Sequence, residues 1–179
     1  MLMKSSIPYT IIAASHLMSN ALIHQGKHIF WDLKPSVVYG CSHGHGVNYV
    51  SPNDVAEVST RVLLDPKHHA NKEYTLTGST AVKDQDVAKA IGQHFHKPVT
   101  FIDQSFRTYK DTETNSGYPE WMIQDLLALE EIKASGVEEK TDFVTHDFED
   151  ICHRQPETFE TYLKEEGFMT PKELGINAC

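Results

Sequence analysis

The chain reads as an α/β protein with parallel strand pairing, and three observations lead there. Between Val47 and Ile102 the apolar pattern runs strand, helix, strand, helix, strand. The first of these helices carries its own start signal, Ser51-Pro52, and its own stop, Asp65-Pro66. Near the amino end, Ile7, Tyr9, Thr10, Ile11 and Ile12 form a β-branched and aromatic run that suits a strand covered on both faces.

Taken in order, the Ile7–Ile12 strand leads into a segment from Ala14 to Leu22 whose Leu17, Met18, Ala21 and Leu22 share one helical face. Residues 24–46 are an excursion punctuated by Gly26, Pro35, Gly40, Gly44 and Gly46, with a short strand at Ser36 to Tyr39. Val47 to Val50 is the next strand. Ser51 then caps a helix, Pro52 takes the position where a missing N–H costs nothing, and Asp54 complements the helix dipole. Val55, Val58, Val62 and Leu63 form its apolar stripe. Glu73 to Thr77 is a strand ending at Gly78. Asp84 caps a helix bearing Val87, Ala88, Ile91 and Phe95, and Val99 to Ile102 is the last strand.

From Gln104 onward the pattern is helical. Phe106 and Tyr109 belong to one helix. Pro119 opens another, with Met122, Leu126 and Leu129 in register and Gly136 as its stop. Asp142 to Cys152 and Thr158 to Glu166 are short helices separated by Pro156, with Thr145 and Thr158 as candidate caps. The end of the chain has no periodicity, so residues 168–179 are expected to form a flexible tail.

A chain of 179 residues can bury about 68–70% of its unfolded surface, which suits one domain. The formal charge of −9, with no Lys/Arg cluster, argues against direct nucleic-acid binding. No run of 18 apolar residues occurs and no signal-peptide pattern follows Met1, so a cytoplasmic protein without membrane insertion is the expectation. Three scattered cysteines do not make a disulfide framework. Eleven histidines invite a metal reading. The pairs His43/His45 and His94/His96, two residues apart, do not share a helix face, however, and no metal site is expected.

In order along the chain, SSIPYTII, MSN, VNYVSPNDVAEVSTRVLLDPKHH, YTLTG, GYPEWM and PETFETYL together resemble the carboxy-terminal half of NmrA-like proteins. These are atypical short-chain dehydrogenase relatives that include NAD(P)H-dependent quinone and dye reductases and redox-sensing transcriptional regulators. The resemblance spans about Lys4 to Gly167. It implies the carboxy-terminal part of a Rossmann-like doubly wound sheet plus a mostly helical substrate lobe, with the amino-terminal nucleotide-binding half missing. Residues 1–167 would be this partial domain, 1–103 its α/β part and 104–167 its helical lobe. NADP or NAD would serve the complete protein, and this chain alone is expected not to bind it.

Three departures support that expectation. No GxGxxG phosphate loop occurs: Gly44 and Gly46 are followed by Tyr49 where a third glycine would fall. The Tyr-xxx-Lys pair of the wider family is also absent, since no tyrosine has lysine four residues later. Where the family continues its strand with Arg-Pro beside the nicotinamide, this chain has Ala13 and Ala14. By resemblance, Ala13, Ala14, Ser15 and His16 border the cofactor. Met18, Asn20, Trp31, Tyr39, His43 and Tyr49 would shape the side of an aromatic or quinone acceptor, where aromatic rings can stack on a planar ligand. Core packing is the competing role for Met18 and Tyr49, and an exposed side chain for His16. Two functions follow from the resemblance: a partial NAD(P)H-dependent oxidoreductase, not catalytic by itself, or a non-catalytic redox-sensing regulatory or interaction module. The open sheet would invite a second copy or a protein partner.

Overall fold

The computed structural model describes residues 4, 6–21, 36–94, 96, 98–136 and 143–165. Trp31, Phe95 and the 168–179 segment lie outside the described residues. β1 (Thr10–Ala14) runs parallel to β5 (Lys72–Leu76), from Thr10 opposite Lys72 to Ala14 opposite Leu76. Ile7, expected to start the strand, is 64% exposed and precedes it.

The chain does not turn helical at Ala14 as its apolar spacing predicts. Ser15 N–H donates to Leu76 O at 2.9 Å. His16–Leu17 then forms β2, paired in parallel with Tyr49 and Val50 of β4 (Gly46–Val50). The extended chain thus passes from one partner to the next through Ser15 alone. Its backbone groups find ladder bonds that satisfy them better than a helix start with open N–H groups would. Helix begins at residue 18, and Met18 and Ala21 turn into the core.

β3 (Ser36–Gly40), a strand expected at that place, pairs in parallel with β7 (Val99–Asp103). Not all pairing is parallel. β6 (Ala81–Lys83), which carries too few residues for a periodic signal, runs antiparallel to β4. Asn48 of β4 fastens the segment that leads from β5 into β6. Gly78 N–H donates to its Oδ1 at 2.6 Å, and its Nδ2 donates to Gly78 O at 3.3 Å. A Cβ at Gly78 would stand 2.3 Å from Tyr49 O, so glycine alone permits this approach.

α1 (Pro52–Leu64) starts as its sequence signals require. Ser51 Oγ accepts from Asn53 N–H at 3.0 Å, and Val58 and Val62 are buried. Leu63, assigned to the same stripe, is 77% exposed instead. Asp54 does more than complement a dipole. Fully buried, it takes Arg154 Nη2 at 2.7 Å and Glu157 N–H at 2.7 Å, and so fastens the 154–157 segment to α1. α2 (Asp84–His94) buries Val87, Ala88 and Ile91. Asp84 is its first residue and is turned inward to an ion pair, so it is not the expected cap.

α3 (Phe106–Asn115), capped by Ser105, and α4 (Glu120–Ala134), preceded by Pro119, form the helical lobe. The helix expected from Asp142 is shorter, α5 (Asp147–Cys152). Thr145 is not its cap: Thr145 N–H donates to Thr77 Oγ1 at 3.0 Å, its hydroxyl donates to Thr75 O, and Asp147 Oδ2 accepts Thr75 N–H at 2.6 Å. These side chains satisfy the edge of β5 that faces away from β1. α6 (Phe159–Glu165) begins after Thr158, whose Oγ1 accepts from Thr161 N–H at 3.2 Å. Among the described residues no helix is long and apolar enough to cross a membrane.

Candidate functional site

Where β2, β3 and β4 meet the helical lobe, a cleft of about 90 Å³ opens. Its walls are His16 from β2, Asn20 and Ala21 from the helix that follows, Tyr39 from β3 and Tyr49 from β4. α3 contributes Tyr109 and Glu113, and α4 contributes Leu126, Leu129, Glu130 and Lys133. The His16 and Tyr49 rings meet edge to face with centroids 6.0 Å apart, and Phe159 backs Tyr49 at the same distance.

A buried ion triad forms the floor. Lys133 Nζ lies 3.0 Å from Asp84 Oδ2 and 2.7 Å from Glu130 Oε1, and the side chains of Lys133 and Asp84 are 6% and 1% exposed. Glu130 Oε2 accepts Cys41 N–H at 2.6 Å, so the triad ties α2, α4 and the end of β3 together. Gly40 makes room for it: a Cβ there would stand 3.2 Å from Asp84 Oδ2 and 3.3 Å from Glu130 Oε2. Burial works against the Lys133 charge, but Tyr49, Asp84 and Glu130 outweigh it and hold the ammonium well above its ordinary range.

The same groups set the neighbouring protons. Burial pushes the Tyr49 phenol up, with Lys133 opposing and Asp84 and Glu130 adding to the rise. Tyr109 is raised by burial, then by Glu130 and Glu113. Both phenols therefore keep their protons and can donate. His16 is lowered by burial first and by Lys133 second, so its imidazole is neutral at physiological pH and can accept or donate. The cleft thus offers ring faces for stacking and O–H donors for a carbonyl or similar oxygen.

Of the residues singled out from sequence, His16, Asn20, Tyr39 and Tyr49 come together here. Met18 does not line this cleft. It is 3% exposed in the core and borders a second cavity of about 270 Å³ that also touches Tyr49, Gly78 and Glu157. His43 lies apart on an exposed turn, its Nδ1 3.3 Å from Asp103 Oδ2. Sequence reasoning missed Lys133, Glu130, Glu113, Tyr109 and Asp84 as site residues. On α4 the buried stripe is Ile123, Leu126, Glu130 and Lys133, and not the Met122, Leu126 and Leu129 that apolar spacing selects. Charges stand there at positions where helix periodicity demands apolar residues.

Ala13, Ala14 and Ser15, expected to border the cofactor, present little polar chemistry at the end of β1. Ala13 and Ala14 are exposed and bring no polar side chain. The Ser15 N–H is taken by Leu76 O, and the Ser15 hydroxyl donates to Asn48 Oδ1 at 3.4 Å. Among the described residues no group of three or more His, Cys, Asp or Glu side chains is arranged to hold a metal ion.

Parallel strands with a cleft near their carboxyl ends and a helical lobe above it define an α/β protein of the Rossmann-like class. No family model matches the sequence. Among curated proteins, the chain is 26% identical over 121 residues to prestalk A differentiation protein A of Dictyostelium discoideum, covering 68% of this chain and 39% of that protein. It is 25% identical over 130 residues to an NAD(P)H azoreductase of Xenophilus azovorans, covering 70% of this chain and 43% of the azoreductase. The chain therefore spans less than half the length of these curated relatives. Among solved structures, an NADPH-dependent quinone oxidoreductase from Escherichia coli superposes with a TM-score of 0.77 at 17% identity, over 93% of this chain and 58% of that one. The negative transcriptional regulator NmrA in complex with NADP superposes with a TM-score of 0.64 at 13% identity, over 99% of this chain and 57% of that one. The fold is the Rossmann-like α/β one of these structures, of which this chain spans little more than half.

Proposed function

We propose that this chain is the acceptor-binding part of an NAD(P)H-dependent reductase for quinone-like or other aromatic acceptors. In this reading residues 1–103 form the α/β part and 104–167 the helical lobe that closes on the acceptor. A dinucleotide-binding segment beyond the described residues supplies the nicotinamide, and the chain alone does not hold it. The observation that carries the reading is the cleft that brings His16, Asn20, Tyr39 and Tyr49 together beside β2. A planar acceptor stacks on the tyrosine rings, and the Tyr49 and Tyr109 hydroxyls hydrogen-bond its oxygen. The azoreductase and quinone oxidoreductase names of its relatives agree with such an acceptor.

Titration of the chain with 1,4-naphthoquinone, followed by tyrosine fluorescence, tests this. Saturable one-to-one binding is expected, weakened about two- to tenfold by Tyr49→Phe, the effect of one hydrogen bond. Absence of saturable binding would overturn the reading. The likeness to NmrA and the 68% exposure of Trp121 favour a second reading, a non-catalytic redox-sensing module that uses the helical lobe to meet a protein partner. Naphthoquinone binding that Tyr49→Phe leaves unchanged, together with loss of partner capture in Trp121→Ser, would favour it.

A further inference from the structure

The cleft and the second cavity share a wall. The cleft holds about 90 Å³ and the cavity about 270 Å³. Small-molecule sites usually offer about 300–1,000 Å³, and a cavity of about 150 Å³ takes a single benzene ring. Neither space alone reaches the usual range; joined, they would. Among the described lining residues Tyr49 alone belongs to both. Its ring is met edge to face at 6.0 Å by His16 from the cleft and by Phe159 from the cavity. Tyr49 is 6% exposed, and its strand β4 is paired by β2 on one side and by β6 on the other. A ring so packed, on a strand held at both edges, keeps its place. Beyond it the cavity offers apolar surface from Met18, Val87 and Ala90 and hydroxyls from Ser79, Thr80 and Thr158. Such a lining suits a further aromatic ring and its oxygen substituents.

We propose that Tyr49 sets the length of the acceptor. Its ring closes the cleft against the second cavity, so a planar ligand gains from its first rings and nothing from a third, which stays in solvent at the mouth. A smaller residue at position 49 would join the two spaces into one site for three-ring acceptors. The proposal rests on the reading of the cleft as the acceptor site. It goes beyond that reading by naming the residue that limits acceptor size.

The test uses two neutral probes that share a quinone ring and differ in length, 1,4-naphthoquinone with two fused rings and 1,4-anthraquinone with three. Equilibrium titrations of the wild-type chain should give dissociation constants within about threefold of each other. Tyr49→Val, which keeps a β-branched residue on the strand, should favour the three-ring probe by at least about tenfold, because its third ring is now buried. The ratio is the readout, since both probes lose the Tyr49 hydroxyl alike. Adding Ala90→Leu, which fills part of the cavity, should bring the ratio back to within about threefold. Ala90→Leu alone should leave both wild-type affinities unchanged. That arm decides the matter even where circular dichroism shows Tyr49→Val to be unfolded. An unchanged ratio in folded Tyr49→Val, or weaker binding in Ala90→Leu alone, overturns the wall while naphthoquinone binding preserves the acceptor reading. Failure of naphthoquinone to bind the wild type saturably removes both.

Discussion

Replacing Lys133 by methionine removes the ammonium of the buried triad while keeping most of its side-chain length. Asp84 and Glu130, 1% and 8% exposed, would then face one another without a cation, both crowding the space beside Gly40. Removing one partner from a buried ion pair costs about 3–5 kcal/mol. Lys133 serves two carboxylates, which places Lys133→Met at about 4–5 kcal/mol. For a chain of this size that corresponds to a melting temperature about 8–20 °C lower. Urea unfolding followed by far-ultraviolet circular dichroism, extrapolated linearly to water, measures it. Because the folded-state ionisation of Lys133 is raised, its contribution is fully present below the unfolded value of about 10.4 and is lost only as pH rises through the folded value. The gap between wild type and variant should therefore hold from about pH 7 to pH 9. The triple variant Lys133→Met, Asp84→Asn, Glu130→Gln should recover more than half of the loss, since neutral groups in the same space carry no buried charge. A cost below about 1 kcal/mol, the worth of an exposed pair, would refute the reasoning. An equal loss in the triple variant would assign the effect to packing.

Gly78→Ala should lower stability by about 1–3 kcal/mol, because the new methyl meets a carbonyl that cannot move without shifting β4. A melting temperature within about 2 °C of wild type would contradict the 2.3 Å approach to Tyr49 O. His16 is lowered by burial and then by Lys133. Its share of stability is thus present above its unfolded value near 6.5 and is lost as pH falls through the folded value. The urea midpoint should drop between about pH 7 and pH 5 and drop less in His16→Gln, and identical slopes would remove His16 as the cause. Burial, then Glu130 and Asp103, push the Cys41 thiol up to about 12, and burial, then Glu57, raise Cys152 to about 11. Neither presents thiolate at pH 8. Peptide mapping after iodoacetamide should find both unmodified in the folded protein and modified in urea, and alkylation of the native chain would show that these sites open.

The strands and caps were legible where one local pattern had one local cause. Ser51-Pro52 specifies a helix start whatever surrounds it, and Ser51 Oγ does accept the Asn53 N–H. Val47 to Val50 reads as a buried run and sits at the heart of the sheet. The segment after Ala13 was misread because Leu17, Met18 and Ala21 fit a helical face and the competing claim came from far away. Tyr49 and Val50, more than 30 residues later, supply the ladder partners that keep His16 and Leu17 extended. Periodicity carries no information about such partners. β6 was missed for the related reason that three residues, Ala81 to Lys83, are too few to show alternation and are held in register by β4.

The charged floor of the cleft was illegible for a different reason, and the cause lies in α4. Apolar spacing picked Met122, Leu126 and Leu129 as the inward face, yet Leu129 is 43% exposed while Glu130 and Lys133 are buried. A helix turns inward the stripe whose burial lowers the free energy of the whole fold, and here that stripe includes a Glu and a Lys because Asp84 and the Cys41 N–H wait opposite them. An apolar pair at those two positions would leave Asp84 buried without a cation. The stripe is therefore chosen by complementarity with α2 and β3, which no window on α4 alone can display. This choice also places Leu129 at the rim of the cleft and brings Glu130 and Lys133 against Tyr49 and Tyr109. The ion triad that docks the helical lobe on the sheet thus also adjusts, after burial, the proton affinities of the groups that would meet an acceptor. Stability of the lobe and chemistry of the cleft are coupled through Lys133, and a substitution there should move both together.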